Sequence, residues 1–156
     1  MTLARAYIGV GANLGDAQAT VLAALQRLGP LGLRRASGLY RTKPVDAGGP
    51  DFINAVAELE TALDPVALLA QLQSIEAEFG RERPYRHAPR TLDLDLLLHG
   101  DAVRHAPGLT LPHPRLHQRA FVLRPLLELA PELHAPGLGR LADHLPATAN
   151  QPAARL

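Results

Sequence analysis

The stretch FINAVAELETALDPVALLAQLQSIEAEFG, residues 52–80, changes its hydrophobic period halfway along. In 52–61, Ile53, Ala55, Ala57 and Leu59 alternate with Phe52, Asn54, Val56, Glu58 and Glu60. That period of two argues for a strand. From Pro65 the period lengthens, and Val66, Leu68, Leu69, Leu72, Ile75 and Phe79 form the stripe of an amphipathic helix. Its ends are marked. Asp64 suits the N-cap, Pro65 suits the first helical position, where its missing N–H costs nothing, and Gly80 lies just past the last turn.

Upstream, RAYIGVGA (5–12) reads as a strand whose Gly9 and Gly11 permit close backbone approach. NLGD turns the chain, and Asp16 caps a helix over about 17–28 with Val21, Leu22, Leu25 and Leu28 at helical spacing. GPLG ends it. A strand is expected near 33–41, followed by the Pro- and Gly-rich loop TKPVDAGGPD. Downstream, an Arg- and Pro-rich loop (81–90) leads to a strand (91–99) and a hairpin running to about 112. A shorter helix over 117–130, bent or delayed by Pro125, precedes a loop-rich tail (135–156) with one helical turn near 140–145. The order β-α-β-β-α-β is a split-βαβ arrangement. It implies an α+β, ferredoxin-like core: a mostly antiparallel sheet with helices on one face, plus a C-terminal hairpin and helix as an appendix. No internal repeat or linker interrupts it, so 1–156 is expected to be a single domain.

The chain has 156 residues, 47% of them apolar, enough for a proper core and too many for disorder. No apolar run is long enough to span a bilayer, and the start lacks the pattern of a cleaved leader. With no cysteine there are no disulfides, thiol nucleophiles or Cys-ligated zinc, and a cytoplasmic protein is expected. A net charge of +1 makes no general electrostatic case for nucleic acid. Placement says more. Lys43 is the one lysine among 16 basic residues. Arg81, Arg83, Arg86 and Arg90 fall within ten residues, and His113, Arg115, His117 and Arg119 within seven.

In PRTLDLDLLLHG (89–100), Asp93 and Asp95 share one strand face, about 6–7 Å apart, while Leu92, Leu94 and Leu96 point to the covered face. An ordinary half-exposed strand would give the same alternation. After Asp95, however, leucine occupies both faces, as in a strand interior to a sheet. Paired carboxylates at the end of such a strand repel and need a compensating positive charge. A divalent cation supplies it: Mg²⁺ takes one or two carboxylates and completes its shell with waters and substrate phosphates. The arginines just upstream offer planar forks of donors suited to phosphate oxygens, although a solvated loop of salt bridges would look the same. Other nucleotide folds fail on spacing. GVGANLG has three residues, not two, before its last glycine, and no acidic residue lies between Asp16 and Asp46. No Gly-Lys-Ser/Thr loop or protein-kinase signature is present. Pro114 between His113 and His117 spoils a helical zinc-binding pair; a surface or phosphate-contacting role suits these histidines better.

Assembled in order, GVGANLGD, YRTKPV, PDFINAVAELET, PRTLDLDLLLHG and LTLPHPRLHQRAFVLRPLLELAPEL make the chain similar to the 6-hydroxymethyl-7,8-dihydropterin pyrophosphokinases of folate biosynthesis, over about residues 5–134. The resemblance implies transfer of the β,γ-diphosphate of ATP to the pterin's hydroxymethyl oxygen, leaving AMP. It implies Asp93 and Asp95 as ligands of two Mg²⁺ ions, with Arg81 and Arg90 beside them as catalytic groups. Phe52 and Phe121 match the aromatic pair that sandwiches the pterin, Asn54 the residue that reads its amide edge, and Thr42, Pro44 and Val45 the backbone contacts. Gln73, Glu76, Arg81, Arg83, Arg90, His113 and Arg119 match positions that meet the nucleotide. Loops 43–51 and 81–90 are expected to close over both substrates. The expected partners are ATP and the pterin, with no nucleic acid, no membrane and a monomeric chain. The chain departs from the pattern in places: loop 81–90 is one residue short and has no tryptophan, His87 standing near its place, and Gly108 stands where an arginine is common. Two other readings remain open at this level, an RNA-binding ferredoxin-like module and an inactive pterin-binding relative whose short loop cannot close.

Overall fold

The computed structural model describes residues 2–44, 49–80 and 92–156. β1 (Ala4–Ala12) leads into α1 (Ala17–Arg27), a 3₁₀ turn (Gly29–Leu31), β2 (Leu33–Ala36), β3 (Tyr40–Thr42) and β4 (Phe52–Thr61). Next come α2 (Pro65–Phe79), β5 (Asp93–His99), the hairpin β6 (Arg104–Ala106) and β7 (Leu109–Leu111), a 3₁₀ turn (Leu116–Gln118) and α3 (Ala120–Leu129). The chain closes with the small hairpin β8 (His134–Ala135) and β9 (Gly139–Arg140), a 3₁₀ stretch (Leu141–Thr148) and β10 (Ala153–Arg155). The main sheet has the order β10-β3-β4-β1-β5, with β2 also on β4, and every pairing is antiparallel.

The local signals explain most boundaries. Asp16 and Asp64 cap α1 and α2 by accepting from Ala19 N at 3.0 Å and Ala67 N at 2.8 Å. Gly32 turns the chain into β2 at φ 100°, where an added Cβ would sit 2.1 Å from Glu60 O, so no other residue fits without moving β4.

The structure corrects the sequence reading in four places. The expected strand near 33–41 is two strands. At the break, Ser37 keeps the β4 ladder satisfied with its side chain, its Oγ accepting from Val56 N and its own N–H donating to Val56 O, both at 2.9 Å. Leu22 and Val66, assigned to helix stripes, are 48% and 60% exposed; the buried stripes are narrower. The helix expected over 117–130 is a 3₁₀ turn followed by α3, which runs on through buried Pro125. The two helices of the βαββαβ core lie on one face, as the sequence reading has it. α1 and α2 cover one side of the sheet, packing Val21, Leu28, Leu68 and Leu72 on Ile8, Ile53 and Leu59. α3 covers the other, packing Leu123 and Leu126 on Tyr7, Val56, Leu97 and Leu98. Finally, the tail expected to be loop-rich ends in a strand, β10, that extends the main sheet beside β3.

Both faces of β4 are buried along most of its length. Burial of its apolar side chains on two layers is worth about 25 cal/mol per Å² removed from water and anchors the sheet. The α3 layer does not reach the end of the sheet where β4 begins and β5 starts. A cleft opens there.

Candidate active site

The floor of the cleft is β1. Gly11 pairs with Asn54 on β4 and Asp93 on β5; Gly9 pairs with Val56 and Asp95. Two glycines on one strand face leave the backbone bare between a strand bearing an amide and a strand bearing two carboxylates. The fit at Gly11 is close, since an added Cβ would lie 2.8 Å from Asn54 Oδ1. Asn54 is buried, and its Nδ2 donates to Thr42 Oγ1 at 2.9 Å, which holds the amide in place.

The cleft has a volume of about 660 Å³. It brings together Thr42, Pro44, Phe52, Asn54, Asp93, Asp95, Arg119 and Phe121, eight of the residues singled out from sequence. β3 and β4 supply Thr42, Phe52 and Asn54, and β5 supplies the aspartates. The turn into α3 supplies Arg119 and Phe121, with the guanidinium carbon of Arg119 5.5 Å from the centre of the Phe121 ring, within cation–π range. A second cleft of about 260 Å³ is lined by Leu69, Leu94, Leu96 and Leu109 with Thr110 and His113. Asp95 lines both clefts and so stands at their junction.

His113 is placed by its own backbone, which donates to Leu97 O at 3.0 Å. Its Nδ1 accepts from Arg115 N at 3.1 Å, which leaves Nε2 as the protonated nitrogen of the neutral ring. Burial pushes His113 below its ordinary pKa, nearby Asp95 pulls upward, and Arg119 and Arg115 push further down. Glu76, near the C-terminal end of α2, turns to β5, its Oε2 accepting from Leu94 N at 2.8 Å. It thus grips the peptide between the two aspartates and helps fix their strand. Gln73 is exposed on α2 and lines neither cleft. His117, expected at the surface or on phosphate, instead packs edge-on against His144 at 5.3 Å between ring centres. Val45 and the loop arginines Arg81, Arg83, Arg86 and Arg90 lie outside the described residues.

Sequence reasoning missed Lys43, Gln118, Asn150 and Gln151 as lining residues, and named Arg115 only as part of a cluster. Gly9 and Gly11 carried a signal, their alternate spacing on one strand. Asn150 and Gln151 carried none, because only the return of the tail to the sheet brings them near.

Among the described residues no three or more His, Cys, Asp or Glu side chains converge as a metal cage. The Asp93–Asp95 pair is a hard-oxygen donor set that fits a cation completing its shell from substrate and water. The cleft thus gathers two carboxylates and a guanidinium beside an aromatic ring on an antiparallel α+β scaffold.

The sequence model of the 7,8-dihydro-6-hydroxymethylpterin-pyrophosphokinase family matches residues 7–131, and the chain belongs to that family. It is 46% identical over 146 residues to the 2-amino-4-hydroxy-6-hydroxymethyldihydropteridine pyrophosphokinase of Pseudomonas aeruginosa, covering 91% of this chain and 88% of that one. It is 44% identical over 150 residues to the enzyme of the same name from Haemophilus influenzae, covering 89% and 94%. In structure it is similar to a Plasmodium falciparum HPPK-DHPS triple mutant, with a TM-score of 0.77, 15% identity and 96% of this chain covered. The chain spans 45% of that protein, and the likeness shows the shared ferredoxin-like fold. The chain is thus an ATP-dependent diphosphotransferase that passes a pyrophosphoryl group from ATP to 6-hydroxymethyl-7,8-dihydropterin in folate biosynthesis.

Proposed function

We propose that the transfer takes place in the 660 Å³ cleft, with the pterin between Phe52 and Phe121 and the triphosphate at the junction marked by Asp95. What carries this reading is that one cleft gathers the aromatic residues, the amide and both carboxylates from three separate segments, β4, β5 and α3. The two rings suit offset stacking on a flat bicycle. Asn54, held by Thr42, offers the donor and acceptor that the pterin's amide edge requires. The nucleotide extends into the 260 Å³ cleft, whose leucine walls suit a base and whose His113 Nε2–H faces the phosphate end. Arg119 and Arg115 offset the charge of the phosphates at the cleft mouth. Arg81, Arg83 and Arg90 keep the nucleotide-contacting roles that the resemblance gives them. Glu76 keeps its place on the nucleotide side, where it holds β5 through Leu94 N.

Asp93 and Asp95 would hold Mg²⁺, two ions by the family pattern. Bound there, the metal neutralises the triphosphate and lowers the pKa of the pterin hydroxyl. The chain's own residues hold the hydroxymethyl oxygen near the β-phosphorus, where a bond forms as the bond to the departing AMP oxygen breaks. Positioning of this kind is worth up to about 7–11 kcal/mol of barrier. Among the described residues no helix is long and apolar enough to cross a membrane. We read the protein as a cytoplasmic, single-domain monomer that binds no nucleic acid.

Replacing Asp95 by alanine tests the reading. AMP release from ATP and the pterin should vanish while the circular dichroism and melting temperature stay near wild type. Normal turnover in that variant would defeat the assignment of the carboxylates.

A further inference from the structure

We propose that Gln151, in the C-terminal segment, is a positioning residue for the reaction: its amide clamps the backbone on both sides of Arg119 and so aims Arg119 and Phe121 into the cleft. Gln151 Oε1 accepts from Ala120 N at 2.9 Å, and Gln151 Nε2 donates to Gln118 O at 2.9 Å. Those two groups belong to the successive peptides that flank Arg119. A primary amide therefore reproduces the two-point pairing that a neighbouring strand would make, and Arg119 has the extended backbone to match (φ −122°, ψ 115°). Ala120 N–H is also one of the donors that the start of α3 leaves without a helical partner. Arg119, at the N-cap, makes no side-chain capping bond, so the cap comes from 31 residues along the chain.

The consequence follows from lever arms. Arg119 and Phe121 leave the backbone on either side of Ala120, and a rotation of the clamped peptides would swing both. Gln151 in turn has its own anchorage. Gln151 N donates to Thr148 O at 2.9 Å, β10 pairs with β3, and Leu156 N donates to Leu39 O at 2.8 Å. Arg155 reaches Glu128 at 3.2 Å. The guanidinium lies over Gly38, where an added Cβ would meet its Nε at 2.6 Å. The edge of the sheet thus holds the tail, which lets it act as a strut. Gln151 lies beyond residue 131, where the family match ends.

The inference rests on the reading of Arg119 and Phe121 as site groups, and its test separates the two. Gln151→Leu removes both bonds at similar size; Gln151→Glu keeps the acceptor but sets a carboxylate against Gln118 O. Steady-state kinetics with ATP and 6-hydroxymethyl-7,8-dihydropterin would be measured with pterin binding in the presence of a non-hydrolysable ATP analogue. Gln151→Leu should lower kcat/KM by about ten- to a hundredfold, the loss expected of an ångström-scale misplacement, and weaken pterin binding. Leu59→Ala, a core change at the far end of β4, should lower the melting temperature at least as much and leave the kinetic constants unchanged. Wild-type kinetics in Gln151→Leu, or a loss no larger than in Leu59→Ala, overturns the proposal. If Phe121→Ala weakens pterin binding and Gln151→Leu does not, this inference alone falls. If Phe121→Ala binds pterin normally, the site reading falls and takes this one with it. Should Gln151→Leu not fold, Gln151→Glu carries the same test.

Discussion

Glu58 sits in the sheet 3% exposed, at the end opposite the cleft, and replacing it by glutamine should destabilise the protein in a way that depends on pH. The carboxylate accepts from Tyr7 Oη at 3.1 Å and from Arg35 Nη2 at 2.8 Å and Nε at 3.3 Å, with Arg5 at 3.9 Å. Arg35 also donates to Leu129 O at 2.8 Å, which ties the end of α3 to the sheet. Hydrogen bonds to a charged group are worth about 1.5–3 kcal/mol each. The Arg35 side chain is 54% exposed and regains water when its partner is lost, so its share lies at the low end. Glutamine keeps one acceptor. The net loss comes to about 2–3 kcal/mol at pH 7, or about 4–12 °C in Tm for a chain of this size.

The pH dependence separates charge from shape. Burial pushes the Glu58 carboxyl up, but hydrogen bonds from Arg35 and Tyr7 and the charges of Arg35 and Arg5 outweigh it and hold it below the usual value of 4.5. A depressed folded pKa gives stability that is complete above the unfolded value and lost as pH falls through the folded one. Urea midpoints of wild type and Glu58→Gln should therefore differ by a constant amount from pH 7 down to about 4.5 and converge below it. A gap that persists unchanged into acid, or no gap at pH 7, refutes the reasoning.

Other tests probe the alkaline side, the cleft and the turns. Tyr7 and Tyr40 are each pushed up to about 12 by burial and by bonds to Glu58 and Glu128. Raised folded values give stability that is present below pH 10 and lost towards 12, so urea midpoints should fall across that window and less so in Tyr7→Phe. Gly11→Ala should displace Asn54 and raise KM for the pterin several-fold, about the worth of one hydrogen bond, with little change in Tm. Unchanged pterin binding would remove Asn54 from the site. Gly32→Ala, at φ 100° and against Glu60 O, should cost at least about 1–3 kcal/mol by thermal melting with the kinetics intact once folded.

Local chemistry wrote much of this protein into its sequence. Asp16, Asp64, Pro65 and Gly80 mark helix ends because caps and φ restrictions act over three or four residues. The alternation in 52–61 and the Asp93–Asp95 spacing fix which side chains share a face, because strand geometry has a period of two. The tertiary structure decided the rest. Whether Leu22 or Leu25 is covered depends on the width of the partner layer, not on the helix. Where α3 lies depends on which sheet face remains uncovered once α1 and α2 have packed. That α3 stops short and leaves a cleft over Gly9 and Gly11 is a matter of layer lengths. Gln151 was invisible in the sequence because its partners lie 31 and 33 residues away, joined to it only when β10 closes on the edge of β3.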